Sequence, residues 1–450
     1  MKNYTVASWV GWVCVALSAG CLDILGFQDP VQNDCAPKGC GGAGGTGGMS
    51  GTGANTMSSA STGGSQPFAC TPFGEVLDVF PDSTDEPLKD ALLFAQSLGG
   101  LPTRAHAFRV YDKGGGHVHA RTVKTFGMLG EISTWDIPPG GWAFPRAFFG
   151  NGRASAFGYV TNANGPVPAE LRFALDGEDQ IPPDSLGELV SFGQPDDCPN
   201  LVDAAVQGIA AAAQTDVQML MTLDDCNASK RRLYHVSETQ TTFVREADIA
   251  ESALKLAGYA RFDGVHAMVA WGDGRGFFGS AQSPEAIPLP LPVEVVSADT
   301  DVTLLAGMTP VSAASLGLWW LSANKATLAP VTVHAAAIEK SNLAAATKKA
   351  TYSTIATHEK YDAVPLWSHP STKGNQTVFS GVTISGDAVR LTIFGSDATP
   401  LVWDYVVASG QPGQFLSTSV THFGSDQILV GWVEKSGTTR HYRARAFSCQ

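Results

Sequence analysis

A short apolar run, a turn rich in Gly, Asp, Asn or Lys, and a second apolar or alternating run recur seven times in this 450-residue chain. The first copy is AFRVYDKGGGHVHARTV from Ala107, and the others begin at Ser155, Val217, Val265, Leu316, Val389 and Ile428. Runs of this kind bounded by turn signals read as strands, and each pair reads as a hairpin. The starts lie 48, 62, 48, 51, 73 and 39 residues apart, which leaves room for four strands per unit. The first strand of several copies is apolar at successive positions, as in HAMVAW, GLWWL and QILVGW. Alternation is lost when both faces of a strand are covered, so neighbouring units must cover one another.

Repetition at this period is the mark of a β-propeller. The expected fold over residues 70–450 is therefore all-β, a β-propeller of six to eight blades with seven favoured. Two or three tandem β-sandwiches, which would carry similar hairpins, are the alternative. The 73- and 39-residue steps mean that one unit is interrupted or anchored on a different strand. Three stretches have helical composition: EPLKDALLFAQSLGG from Glu86, READIAESALKLAG from Arg245 and AAAIEKSNLAAATKKA from Ala335. Among so many strands, the second reads as an outer strand and loop, and the third as an excursion between units.

The first 69 residues have another character. Lys2 is the only charge before Asp23, and Val6–Leu17 is an apolar run ending in small residues. That pattern is a secretory signal, expected over residues 1–20, and the run is too short to span a bilayer, which takes about 20 apolar residues. The segment Cys40–Ser65 contains no charge, no aromatic ring and no branched aliphatic side chain. A chain without apolar surface to bury cannot offset the entropy of folding, so residues 21–69 are expected to be a disordered tether. A Gly-rich coil of that length spans about 35 to 42 Å. A glycine-rich phosphate loop is the competing reading, but GGAGGTGG lacks the closing Lys-Ser/Thr and a preceding strand.

Ser18-Ala19-Gly20-Cys21 resembles the bacterial lipobox, with Ser18 where leucine is usual and Leu17 one position early. The resemblance implies that Cys21 is lipidated and becomes the first mature residue. Leu22 in place of Asp after it implies the outer membrane or cell surface, with a periplasmic or secreted form as the alternative. Glycine-rich stalks behind a lipobox are similar to those of many surface lipoproteins. The net charge of −13 offers no electrostatic footprint for nucleic acid.

Cysteine usage agrees with export. Beyond Cys14 and Cys21, six cysteines remain, an even set of the kind that forms disulfides outside the cell. Their positions suggest Cys35–Cys40 in the tether, Cys198–Cys226, and Cys70–Cys449 closing the folded body end to end. Zinc is the rival, but no CxxC or Cys/His cluster has ligand spacing.

Legible chemistry is sparse. His117 and His119 in HVH share one strand face, because side chains repeat every two residues, and are the candidate metal pair. The competing reading is a polar outer strand beside a glycine turn. Asp112, Asp224, Asp225 and Asp273 fall at similar points after apolar strands and offer acid pairs for glycoside hydrolysis. Turn chemistry explains the same recurrence. Asp299-Thr300-Asp301 and Asp176-Gly177-Glu178-Asp179 are candidate oxygen ligands for structural calcium, though neither matches an EF-hand. No GxSxG elbow or HExxH helix occurs. Trp271, Trp319, Trp320, Trp403 and Trp432 lie in or beside apolar strands and read as packing core, with sugar stacking second. No cofactor is implied. The expected function is a lipid-anchored, non-catalytic binding or scaffold module with a protein or polysaccharide ligand on the propeller rim. The alternatives are a polymer-degrading enzyme, and a structural subunit resembling in architecture the propeller lipoprotein of outer-membrane barrel assembly.

Overall fold

In the computed structural model the described residues begin at 68. Segments 85–89, 98–102, 112–116, 125–126, 137–141, 192–218, the connections between 219 and 378, and a few single positions lie outside the description. From 219 to 379 the strands are described by backbone alone, except at 317 and 335–337. The signal, tether and lipidation expectations, and the pairs Cys35–Cys40 and Cys198–Cys226, therefore fall outside the described residues.

The architecture is all-β, with seven sheets among the described residues. Strand β1 (Cys70–Ser83) pairs not with its successors but with the last strand, as set out below. Sheet 1 is built from β2 (Asp90–Phe94), β4 (Arg104–Tyr111), β5 (His117–Lys124) and β6 (Leu129–Asp136), in that order. Sheet 2 contains β7 (Trp142–Gly150), β8 (Arg153–Asn162), β9 (Gly165–Ala174) and β10 (Glu188–Ser191), with β3 (Gln96–Ser97) beside β7. Sheet 3 has β11 (Met219–Asp224), β12 (Lys230–Val236) and β13 (Thr241–Asp248). Sheet 4 has β14 (Lys255–Phe262), β15 (Val265–Gly272), β16 (Arg275–Ala281) and β17 (Val293–Val296). Sheet 5 has β18 (Asp301–Ser312), β19 (Ser315–Asn324), β20 (Val331–Glu339) and β21 (Thr347–Ser353). Sheet 6 has β22 (Ala363–His369), β23 (Val378–Ser385), β24 (Ala388–Gly395) and β25 (Pro400–Ser409). Sheet 7 runs β26 (Phe415–Phe423), β27 (Gln427–Ser436), β28 (Thr439–Cys449) and then β1.

All seven hairpins read from the sequence are antiparallel pairs: β4–β5, β8–β9, β11–β12, β15–β16, β19–β20, β24–β25 and β27–β28. The uneven steps have a simple cause. Val389 begins the third strand of sheet 6, whereas the corresponding hairpin of sheet 5 begins at its second. Anchored on β23 at Val378, that unit starts eleven residues earlier and the long and short steps even out. The helical readings at Glu86 and Ala335 are corrected. The described parts of these stretches are strands β2 and β3, and β20 and β21. Ala335 and Ala336 are buried, so their small side chains serve close packing, which overrides helix propensity. The stretch from Arg245 contributes the end of β13, the edge strand of sheet 3 as described, and the start of β14, the first strand of sheet 4.

The core lies between sheets. One buried cluster joins Leu93, Phe108 and Val118 of sheet 1 to Phe149, Ala156 and Leu171 of sheet 2. Another joins Leu92, Phe94 and Ala107 to Leu429, Tyr442 and Ala444, which are sheets 1 and 7. A third joins Val382, Leu391 and Ile393 of sheet 6 to Val420, Val430 and Trp432 of sheet 7, and takes in Phe148 and Phe157. Each sheet so described is covered on two faces, which is why β24 and β27 show no alternation. Gly431 of β27 faces sheet 1 so closely that an added Cβ would stand 2.6 Å from Phe94 Cε2.

Neighbouring first strands touch in sequence: β14 against β18, β18 against β22, β22 against β26, β26 against β2, and β2 against β7. Gln96 and Ser97 pair with Phe148 and Phe149 in parallel, so the first strands of sheets 1 and 2 run the same way. Hydroxyls join two of these strands. Ser417 and Ser419 Oγ accept the N–H groups of Leu92 and Phe94 at 3.3 and 2.8 Å, and Thr421 Oγ1 donates to the Ala95 carbonyl at 3.2 Å.

The first and last described strands meet in sheet 7. Register pairs run from Cys70 with Cys449 to Ser83 with Arg440, broken by three irregularities, and a disulfide joins Cys70 to Cys449.

Candidate functional site

His117 and His119 do share a face of β5, with ring centroids 6.2 Å apart and planes 17° apart. Asp136, opposite His117 on β6, takes its Nδ1 at 2.6 Å, a position set by the β5–β6 register. His119 leans on Phe80 of β1 at 6.2 Å. Burial, then the charges of Arg109 and His117, lower its pKa to about 4. Arg109 is buried and lies over the Tyr442 ring, 4.2 Å from its centroid. A cation entering here would meet that guanidinium. Among the described residues no group of three His, Cys, Asp or Glu comes together. The sequence reading missed Arg109 and Tyr442, because the cation–π contact joins strands from opposite ends of the chain.

The acids of the 176–179 turn serve backbone geometry. Asp176 Oδ1 accepts N–H bonds from Glu178 at 2.8 Å and Gln180 at 2.9 Å. The bond from Gln180 is the main cause holding the Asp176 carboxyl below its ordinary pKa. Asp179 takes the left-handed φ of 56° that closes the turn. Glu178 is held by Arg104 at 3.5 Å. These are the interactions of an Asx turn. Of the other candidates, Asp112, Asp225, Asp273, Asp299 and Thr300 lie outside the described residues, as do the side chains of Asp224, Asp301, Trp271, Trp319 and Trp320. Asp224 ends β11 opposite Arg231, before the turn from first to second described strand. Trp432 is core, 2% exposed, with Nε1 donating to Glu434 Oε2 at 3.0 Å. Trp403, half-buried, sits on an irregular stretch of β25.

Three polar groupings, two buried and one half-buried, were not visible in the sequence. Glu170, 1% exposed on β9, accepts from Arg153 at 2.9 Å and Arg172 at 2.7 Å. Asp404, at the β25 irregularity with φ 51°, accepts from Arg390 at 2.8 Å. Burial raises its pKa against the opposing pull of Arg390. Ser380 of β23 and His422 of β26 meet at 2.9 Å between sheets 6 and 7. That spacing suits a nucleophile and its base, but Ser380 is wholly buried, and the contact acts as an inter-sheet tie.

No protein-family model matches the chain, and none of the curated proteins does. Among solved structures, the chain resembles a Dyadobacter fermentans protein of unknown function at 9% identity and TM-score 0.40, over 81% of this chain and 99% of that one. It also resembles a Penicillium chrysogenum α-L-arabinanase complexed with arabinobiose at 8% identity and TM-score 0.39, over 84% and 98%. A putative 6-phosphogluconolactonase from Bacteroides uniformis gives 9% identity and TM-score 0.42, over 68% and 83%. Likenesses of this size carry no activity across to this chain.

Proposed function

We propose that the sheets are the blades of one seven-bladed β-propeller, and that it serves as a non-catalytic binding or scaffold module at the cell envelope. The observation that carries this reading is sheet 7, where the first and last strands pair and the Cys70–Cys449 disulfide locks them. Tandem sandwiches would keep the two chain ends in separate domains, whereas a ring of sheets must join them. The sequential contacts of first strands and the parallel β3–β7 pair support the same arrangement. Several ionisable groups among the described residues are engaged with one another, which supports a platform over a reaction centre. Examples are Glu170 with two arginines, Asp404 with Arg390, and His441 with Asp82 at 2.8 Å. The tether and a lipid on Cys21 would hold this body clear of an anionic membrane surface that its own charge disfavours.

The mature protein, titrated with soluble envelope polysaccharides, is expected to bind at least one saturably and to leave its size distribution unchanged. Shortening of the polymer replaces this reading with the polymer-degrading enzyme. Binding to none, together with purification in a stable membrane complex, replaces it with the structural subunit. Separately, Cys21→Ser moves the protein from the membrane fraction to the soluble one, and continued membrane retention overturns the lipid anchor.

A further inference from the structure

The connection from β9 to β10 does not stay over its own sheet. It crosses to sheet 1 and is held at four places. The Ile181 N–H donates to Thr122 Oγ1 at 2.9 Å, and Ser133 Oγ donates to the Pro182 carbonyl at 2.5 Å. Arg104 donates to the Glu178 carbonyl and pairs with its carboxylate. Gly187 lies against Trp135, where an added Cβ would stand 2.9 Å from the Trp135 Cβ. Ile181 is thereby inserted, 3% exposed, into the core between sheets 1 and 2.

Thr122 holds a second partner. Its hydroxyl lies 3.2 Å from Nδ1 of His106, which is wholly buried. The oxygen accepts the Ile181 N–H and keeps a second lone pair, so the bond to Nδ1 can run either way; we assign the Thr122 hydrogen to Nδ1, which makes the imidazole neutral. Nε2 then carries the ring proton and has no hydrogen-bond partner among the described residues. The ring stands edge-to-face with Phe149 of β7, centroids 4.7 Å apart.

We propose that Leu175–Gly187 is a strap over the junction of sheets 1 and 2, released by acid through the relay from His106 by way of Thr122 to Ile181. A second proton on His106 turns Nδ1 from acceptor to donor, so the Thr122 hydroxyl loses its acceptor. It also puts a charge in a site with no counter-ion among the described residues. On β4 the charge nearest in effect is Arg104, which opposes protonation. β5 brings Thr122, with Lys124 at its end. β7 brings an apolar ring, and the chain after β2 brings the Ala95 N–H, bonded to the His106 carbonyl at 2.7 Å. The strap brings Glu178, engaged by Arg104, and Asp176, in the field of Arg104 and Lys124. Burial first, then Arg104, lower the His106 pKa from 6.5 to about 3 in the closed state. If opening restores the ordinary value, the open form gains on the closed one at every pH between these limits. The sign is fixed: the closed strap is favoured above pH 6.5 and loses ground as pH falls toward 3.

Hydrogen–deuterium exchange of the intact protein, corrected for intrinsic rate, tests the device. Protection of the Ile181 amide and its strap neighbours should fall about fiftyfold from pH 6.5 to 4.5, while the amides of β24 hold theirs. His106→Asn keeps an acceptor near Nδ1 and removes the titration, so strap protection becomes flat across that range. Thr122→Val should loosen the strap about tenfold at pH 7.5, with β24 unmoved. Loss of strap and β24 protection together, or an equal fall in wild type and His106→Asn, overturns the proposal.

Discussion

Replacing Cys70 with alanine should cost about 3–5 kcal/mol, because the disulfide it removes closes nearly the whole folded chain. In the chain-entropy picture a cross-link over 379 residues removes more freedom from the unfolded state than one over a short loop. The expected fall in Tm is about 5 °C, small for that energy because a body of this size unfolds with a large entropy. The check is a thermal melt with and without reductant: reductant should lower wild type by at least the shift that the variant shows, since it also opens the expected Cys198–Cys226 pair, and should lower the variant by less. The loss should begin at β1. It is an edge strand whose outer half is mostly exposed and whose ladder is broken by three register shifts, so it is the element with least to hold it when the bond is cut. Equal melts in the two redox states would mean that the strand pairs alone hold the ends together.

Glu170→Ala should cost a similar amount, about 3–5 kcal/mol, for a different reason. The carboxylate is buried between two guanidiniums that reach it from β8 and β9. Removing it leaves like charges together in a partly desolvated place, and the penalty comes from what remains. Glu170→Gln, which keeps an acceptor, should lose less. Urea midpoints measure both, and combining Glu170→Ala with Arg153→Ala and Arg172→Ala should recover part of the loss. A triple variant as unstable as the sum of its single changes would show that the three side chains act independently.

Much of the fold was legible, and the reason lies in which strands carry a signal. Strands such as β19 and β27 are read directly, since a continuous apolar run between turns has one simple explanation. Apart from β11, the first described strands were not read. In β26, FLSTSVTHF, hydroxyls stand where apolar residues would be expected, because they bond the backbone of β2 some 325 residues away. β2 itself, DALLF, sits in a stretch whose composition favours helix. Trp-Asp pairs occur at 135–136 and 403–404, on the edge strands β6 and β25. Of the candidate site, alternation placed His117 and His119 on one face, but it could not supply Arg109, Phe80 or Asp136 around them.

The sequence by itself determined the strand-rich class, the number of hairpins and the partner of Cys70. Those properties follow from local patterning and from counting along the chain. The tertiary structure decided which groups meet between sheets: Arg109 with Tyr442, His422 with Ser380, His106 with Thr122 and the strap beyond it. A side chain facing the next sheet is chosen to suit a surface that arrives from elsewhere in the chain, so its own neighbours in sequence hold no trace of the partner.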